Sequence, residues 1–168
     1  MRDQLLSIER AWAATDEIRA LIGELDQVLS ATYLPEQRHG LPLDAIFKPP
    51  MRFFLARSGD AAVGCGGVAL FSDFAEVKRM YVRPAARGQG VAQAVLARIE
   101  AEVCDAGLLT LRLETGDRQT AAIRLYERAG FRRCAAFGPY AAMPAPMIAT
   151  SLFFEKRLAA AGSRPVRP

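Results

Sequence analysis

Gly88 and Gly90 stand one residue apart in the stretch MYVRPAARGQGVAQAVL, residues 80–96. A strand-like run ends before them and a helix-like run begins after them. The first turn of a helix has N–H groups without intrahelical acceptors and carries partial positive charge, so it suits a phosphate. Glycine lets the backbone approach such a ligand with no Cβ in between. Arg83 and Arg87 add positive charge nearby. No Gly-Lys-Ser/Thr follows, which excludes a Walker-type loop. Taken alone, the turn is equally an ordinary strand-to-helix connection.

The surrounding elements are predicted from periodicity. Residues 5–11 read as a strand. Thr15 reads as an N-cap, with Asp16 and Glu17 in the first turn and Ile18, Leu21, Ile22, Leu25, Val28 and Leu29 at helical spacing. Residues 31–50 contain Pro35, Gly40, Pro42, Pro49 and Pro50 and read as a loop with room for one short helix. Three strands follow, in MRFFLARSG, AAVGCGGVALF and EVKRMYV, joined by short turns as an antiparallel meander. Alternation along the third places Glu76, Lys78, Met80 and Val82 on one face. From Gly90 the period changes: Val91, Val95, Leu96, Ile99 and Val103 line one side of a helix that stops near Gly107. LLTLRLET alternates as a strand. A second helix carries Ala122, Leu125, Tyr126 and Ala129 and ends at Gly130. Residues 132–137 and 148–158 close the order as strands. The sheet is therefore mixed, with one parallel crossover, between Glu76 and Thr115. A single domain is expected over residues 1–158, with a frayed tail at 159–168.

Composition narrows the function. With 168 residues, 51% of them hydrophobic, a full core is available. No apolar run approaches the ~20 residues of a membrane span, and the N-terminus lacks a secretory pattern, so a cytoplasmic protein is expected. Three scattered cysteines and one histidine, His39, argue against a structural zinc site or a disulfide framework. The net charge of +4 comes from dispersed arginines with no aromatic interleaving. That pattern speaks against nucleic acid and suits a phosphate-rich cofactor.

Arg87-Gly88-Gln89-Gly90-Val91-Ala92 resembles the (Gln/Arg)-x-x-Gly-x-(Gly/Ala) signature of the GNAT superfamily of N-acetyltransferases. About thirty residues later, AAIRLYERAGF resembles the superfamily's second signature, a helix with Leu-Tyr near its end and Gly-Phe closing it. The resemblance extends over about residues 5–158. It implies an α+β fold with a central mixed sheet flanked by helices, and acetyl-CoA as cofactor. It also implies that main-chain N–H groups of residues 87–92 wrap the pyrophosphate. The strand end Met80, Tyr81 and Val82 would pair with the pantetheine arm, and the Met80 N–H would polarise the thioester carbonyl. Gln119 stands where an asparagine is frequent and would contact the cofactor with a longer reach. Tyr126 would protonate the leaving thiolate, although its place beside Ala122 and Leu125 is also that of a core residue.

An alkylammonium must lose a proton before it attacks. Glu76 lies eleven residues before Arg87, the offset of a catalytic glutamate in the histone-modifying branch of the superfamily, and is the candidate base. A solvated charge neutralised by Lys78, with a water chain as base, is the competing reading. The acceptor site is expected from residues 31–50 and 137–147, with Tyr33, His39, Phe47, Phe137, Tyr140 and Met143 as candidate lining. The expected function is acetyl transfer to a primary amine of a small molecule, or less readily of a protein, by direct attack. The alternative is an acyl-CoA-binding module without turnover. No metal, membrane or nucleic-acid partner is expected, and a homodimer is possible.

Overall fold

A computed structural model describes residues 5–160. Thr15 caps the first helix through its hydroxyl, which accepts from the Ile18 N–H at 3.3 Å, and Asp16 and Glu17 fill the first turn. Seven strands form one sheet: β1 (Leu6–Ala11), β2 (Met51–Ser58), β3 (Ala61–Leu70), β4 (Ala75–Val82), β5 (Thr110–Gly116), β6 (Arg132–Arg133) and β7 (Ser151–Arg157), in the order β1-β2-β3-β4-β5-β7-β6. The helices are α1 (Asp16–Thr32), α2 (Val91–Asp105), α3 (Thr120–Arg128) and the single turn α4 (Ala145–Ile148). The predicted meander and the parallel crossover are both present: β1 to β4 pair antiparallel, and β4 runs parallel to β5.

Each face of the sheet buries an apolar helix stripe. On one, Val95, Ile99 and Val103 of α2 pack with Val68, Leu111, Leu113 and Phe154. On the other, Ile18, Leu21 and Ile22 of α1 pack with Phe53 and Leu55. The glycine-rich strand β3 makes the first contact close: a Cβ at Gly66 would collide with Met80 Sδ and with Val95.

Three predictions are corrected. The strand expected over 132–137 is only two residues long, because the chain turns away at Gly138 and packs Phe137 and Tyr140 on Phe153. The strand expected over 148–158 begins at Ser151, since Pro144 starts the α4 turn before it. The third correction concerns β4. Gly67 faces Lys78 and Cys65 faces Tyr81, so Arg79 and Met80 together oppose Gly66. This is a β-bulge, and Arg79 adopts φ +59° within it. The extra residue reverses the alternation. Glu76 and Lys78 face the α1 side with Arg79 and Tyr81, whereas Met80 and Val82 join the α2 core. The expected frayed tail lies outside the described residues from 161 onward.

Candidate active site

β4 and β5 pair only through Ala75, Glu76 and Val77, opposite Leu111, Arg112 and Leu113. Beyond that point β4 continues to Val82 and β5 to Gly116 without pairing, so the strands part and leave backbone groups of β4 open on the β5 side. The gap is an inner cleft of about 120 Å³, walled by Met80, Glu114, Gln119 and Tyr126 below and by Tyr33, Arg38 and His39 above. Tyr33 caps the end of α1 and lies across Gly116, where any Cβ would strike its ring; its hydroxyl accepts from the Arg118 N–H at 2.8 Å.

Tyr126 is 5% exposed, stacked edge-on to Phe131, and its hydroxyl has no hydrogen-bond partner among the described residues. Burial pushes its phenol well above the usual value, and the nearby charge of Glu114 adds to this. The group therefore keeps its proton at neutral pH. Tyr126 both fills core and walls the cleft.

Between the end of β4 and the start of α2 stands the glycine turn. Gly88 has φ +75° and Gly90 φ +80°, both left-handed, and a Cβ built on either meets nothing within 4 Å. Gly90 caps α2 with no side-chain bond, and no acidic residue sits in the first turn. The 15-residue helix thus begins with free N–H groups aimed at open space, which fits a pyrophosphate. Arg87 is exposed and folds its Nε onto the Val82 carbonyl at 3.1 Å, and Gln89 is exposed beside it. Val91 is buried in the core and Ala92 half-buried, so both offer the ligand backbone only. Tyr81 likewise turns its ring to the α1 core. Arg83 does not serve the turn as expected: Glu24 holds its Nε and Nη2, and the Ala62 carbonyl takes Nη1.

Glu76 is buried rather than solvated, at 3% exposure. Lys78 Nζ lies 2.9 Å from Oε1, and the Tyr140 hydroxyl donates to the same oxygen at 2.6 Å while accepting from Lys78 Nζ at 2.6 Å. Both contacts use Oε1, and Oε2 has no hydrogen-bond partner among the described residues. Burial and the Glu76 charge push the Tyr140 phenol up, so it remains a donor. Glu76 does not wall the inner cleft. It stands in an outer cleft of about 530 Å³, apolar except for Glu76, Lys78, Lys48, His39 and the Tyr140 hydroxyl. The two clefts share His39, Gly40 and Lys78 as walls and therefore adjoin. His39 donates from Nε2 to the Met147 carbonyl at 2.9 Å, which leaves Nδ1 as the acceptor in the neutral ring.

Of the expected acceptor lining, Tyr33, His39, Tyr140 and Met143 reach a cleft, while Phe47 and Phe137 pack on Phe53 and Phe153. Sequence reasoning missed Glu114. Burial raises its pKa, the Glu76 charge acts the same way, and His39 and Lys78 oppose both. Its signal was alternation along β5, which puts Glu114 opposite the core residues Leu111 and Leu113. Cys65 is buried, with its thiol pushed up to about 12, and neither Cys104 nor Cys134 walls a cleft.

Residues 16–131 match the model of the acetyltransferase (GNAT) family. An IAA acetyltransferase of Azospirillum brasilense is 43% identical over 155 residues, covering 91% of this chain and 98% of its own length. A Klebsiella pneumoniae structure assigned to the acyl-CoA N-acyltransferases is 36% identical, with a TM-score of 0.75 over 93% of this chain and 99% of that one. The yncA protein of Salmonella typhimurium, solved with its cofactor acetyl-CoA, shares the fold at 17% identity and a TM-score of 0.65, over 96% and 99% of the two chains. Among the described residues no helix is long and apolar enough to cross a membrane. With the parted strands, the open glycine turn and these relatives together, the chain belongs to the GNAT family and is an acyl-CoA-dependent N-acetyltransferase whose cosubstrate is acetyl-CoA.

Proposed function

We propose that this chain acetylates the primary amine of a small molecule by direct attack. The observation that carries the reading is the parting of β4 from β5 beyond Val77 and Leu113, which brings Tyr126 and Met80 to one cleft. Bound acetyl-CoA supplies an activated acetyl thioester. The N–H groups at the head of α2 hold the pyrophosphate, and Gln119 contacts the arm. The Met80 N–H, beyond the end of the β4–β5 pairing, is the donor for the carbonyl oxygen. The amine comes from the α1 side, where Glu76 and Glu114 attract its ammonium form. Glu76 Oε2 takes one proton from nitrogen; Tyr140 and Lys78 fix the carboxylate through Oε1. Tyr126 donates its hydroxyl hydrogen to the departing sulfur, a role its raised pKa suits as a hydrogen-bond donor. The buried or remote thiols support attack without an acyl-enzyme.

Release of free thiol from acetyl-CoA across a panel of primary amines tests the function. Acceptor-dependent release is expected, and Tyr126→Phe is expected to lower turnover roughly ten- to a thousand-fold with little change in coenzyme A affinity. Normal turnover of that variant at saturating substrates assigns Tyr126 to packing alone. No release with any amine leaves only ligand binding.

A further inference from the structure

The arginines around the sheet are answered by carboxylates: Arg10, Arg52 and Arg98 by Glu102, Arg79 by Asp26, Arg83 by Glu24 and Arg112 by Glu155. Arg38 differs. It walls the inner cleft, yet among the described residues its guanidinium has no ion pair or hydrogen bond, and its Nε is buried without an acceptor. Arg10 and Arg79 also leave Nε unpaired, but each is ion-paired through another nitrogen. A buried donor without an acceptor opposes folding, and in native structures it calls for an explanation. A guanidinium is a planar fork matched to a carboxylate. An acceptor carrying a carboxylate would satisfy it.

The other walls complete the specification. Glu114 stands in the same cleft of about 120 Å³, so one small zwitterion can meet both charges. The adjoining outer cleft presents Met51, Ala69, Phe71, Pro139 and Met143. We infer that the acceptor is an α-amino acid with an apolar side chain. Its carboxylate pairs with Arg38, its amine lies by Glu114 and Glu76, and its side chain occupies the outer cleft. The inference rests on the acetyl-transfer reading above. A nitrogen–carbon bond forms and the carbon–sulfur bond breaks; the ammonium group gives up two protons, one through Glu76 to solvent and the equivalent of the other to the sulfur, and an N-acetyl amino acid and free thiol result.

Thiol release is measured with phenylalanine, phenylalaninamide, phenethylamine and alanine, using wild type, Arg38→Ala, Arg38→Gln and Arg38→Lys. Coenzyme A binding by calorimetry checks that each variant is folded. Wild type is expected to favour phenylalanine over phenethylamine and the amide by about ten- to a hundred-fold in kcat/KM. Alanine should be poorer than phenylalanine. Arg38→Ala and Arg38→Gln should bring phenylalanine down to the level of the amide and leave phenethylamine within about twofold, with Arg38→Lys restoring part of the preference. Equal use of phenylalanine and phenethylamine by wild type overturns the inference while acetyl transfer stands. Equal slowing of both by folded Arg38 variants does the same. Failure of every acceptor, phenethylamine included, removes the acetyl-transfer reading and this one with it.

Discussion

Glu76 shows how a single side chain acquires meaning from its surroundings. Its spacing from Arg87 was legible in the sequence, but its burial and its two partners were not. Lys78 was close in the chain, whereas Tyr140 arrives from 64 residues away. The proposed role requires a basic Oε2, and Glu76→Gln keeps the shape while removing the basicity. At saturating acceptor the variant should be slower near neutral pH and recover much of the rate as the solution itself deprotonates the amine. Glu114→Gln is the comparator, since Glu114 walls the cleft that holds Tyr126. Overlaid profiles for wild type and Glu76→Gln would move the proton to Glu114 or to water. Neither Glu114 nor Arg38 belongs to a motif. Their importance comes from a strand that faces two ways and from a missing partner, and a one-dimensional pattern records neither.

At the scale of elements, periodicity carried most of the fold: both long helices, the meander and the parallel crossover were all legible. It failed at β4, where a bulge at Arg79 shifts the alternation by one residue. Arginine with φ +59° is an uncommon conformation that the sequence does not announce. Arg79 is held by Asp26 at 2.7 Å and lies against Gly40, contacts made only after α1 and the following loop have packed. The glycine turn is the opposite case, because residue type and conformation agree. Gly90→Val places a β-branched residue at φ +80°, costing about 1–2 kcal/mol of stability, and points it into the open space proposed for the pyrophosphate. Coenzyme A affinity should fall by on the order of 2 kcal/mol or more. Gly107→Val, at φ +78° beyond the far end of α2, imposes similar strain and should leave affinity unchanged. Calorimetry on both variants separates the effect on the ligand from the effect on the fold, and equal affinity in folded Gly90→Val removes the pyrophosphate from this turn.

For the molecule as a whole, the β1–β2 edge of the sheet is tied to α2 by the carboxylate of Glu102. Glu102 of α2 takes Arg10 of β1 at 3.1 Å, Arg52 of β2 at 2.6 Å and Arg98 of its own helix at 2.6 Å. Burial works to raise its pKa, but the hydrogen bonds from Arg52 and Arg98 and their charges outweigh burial, and the carboxyl sits below its ordinary value of 4.5. A depressed carboxylate contributes stability that is fully present above the unfolded pKa and is lost as pH falls through the lowered folded value. Glu102→Gln leaves three guanidinium groups facing one another without a countercharge. Breaking a fully buried pair costs about 3–5 kcal/mol, and the partly exposed arginines here reduce that to about 2 kcal/mol. For a chain of this size the loss corresponds to a Tm lower by about 4–8 °C at neutral pH. The gap between wild type and variant should narrow as the pH drops below 4.5, because protonation then removes from the wild type what the substitution has already removed from the variant. Thermal melts of both forms from pH 7 to pH 3 measure this, and a constant gap across that range would mean that the cluster holds the layers by packing of the arginine stems and not by charge.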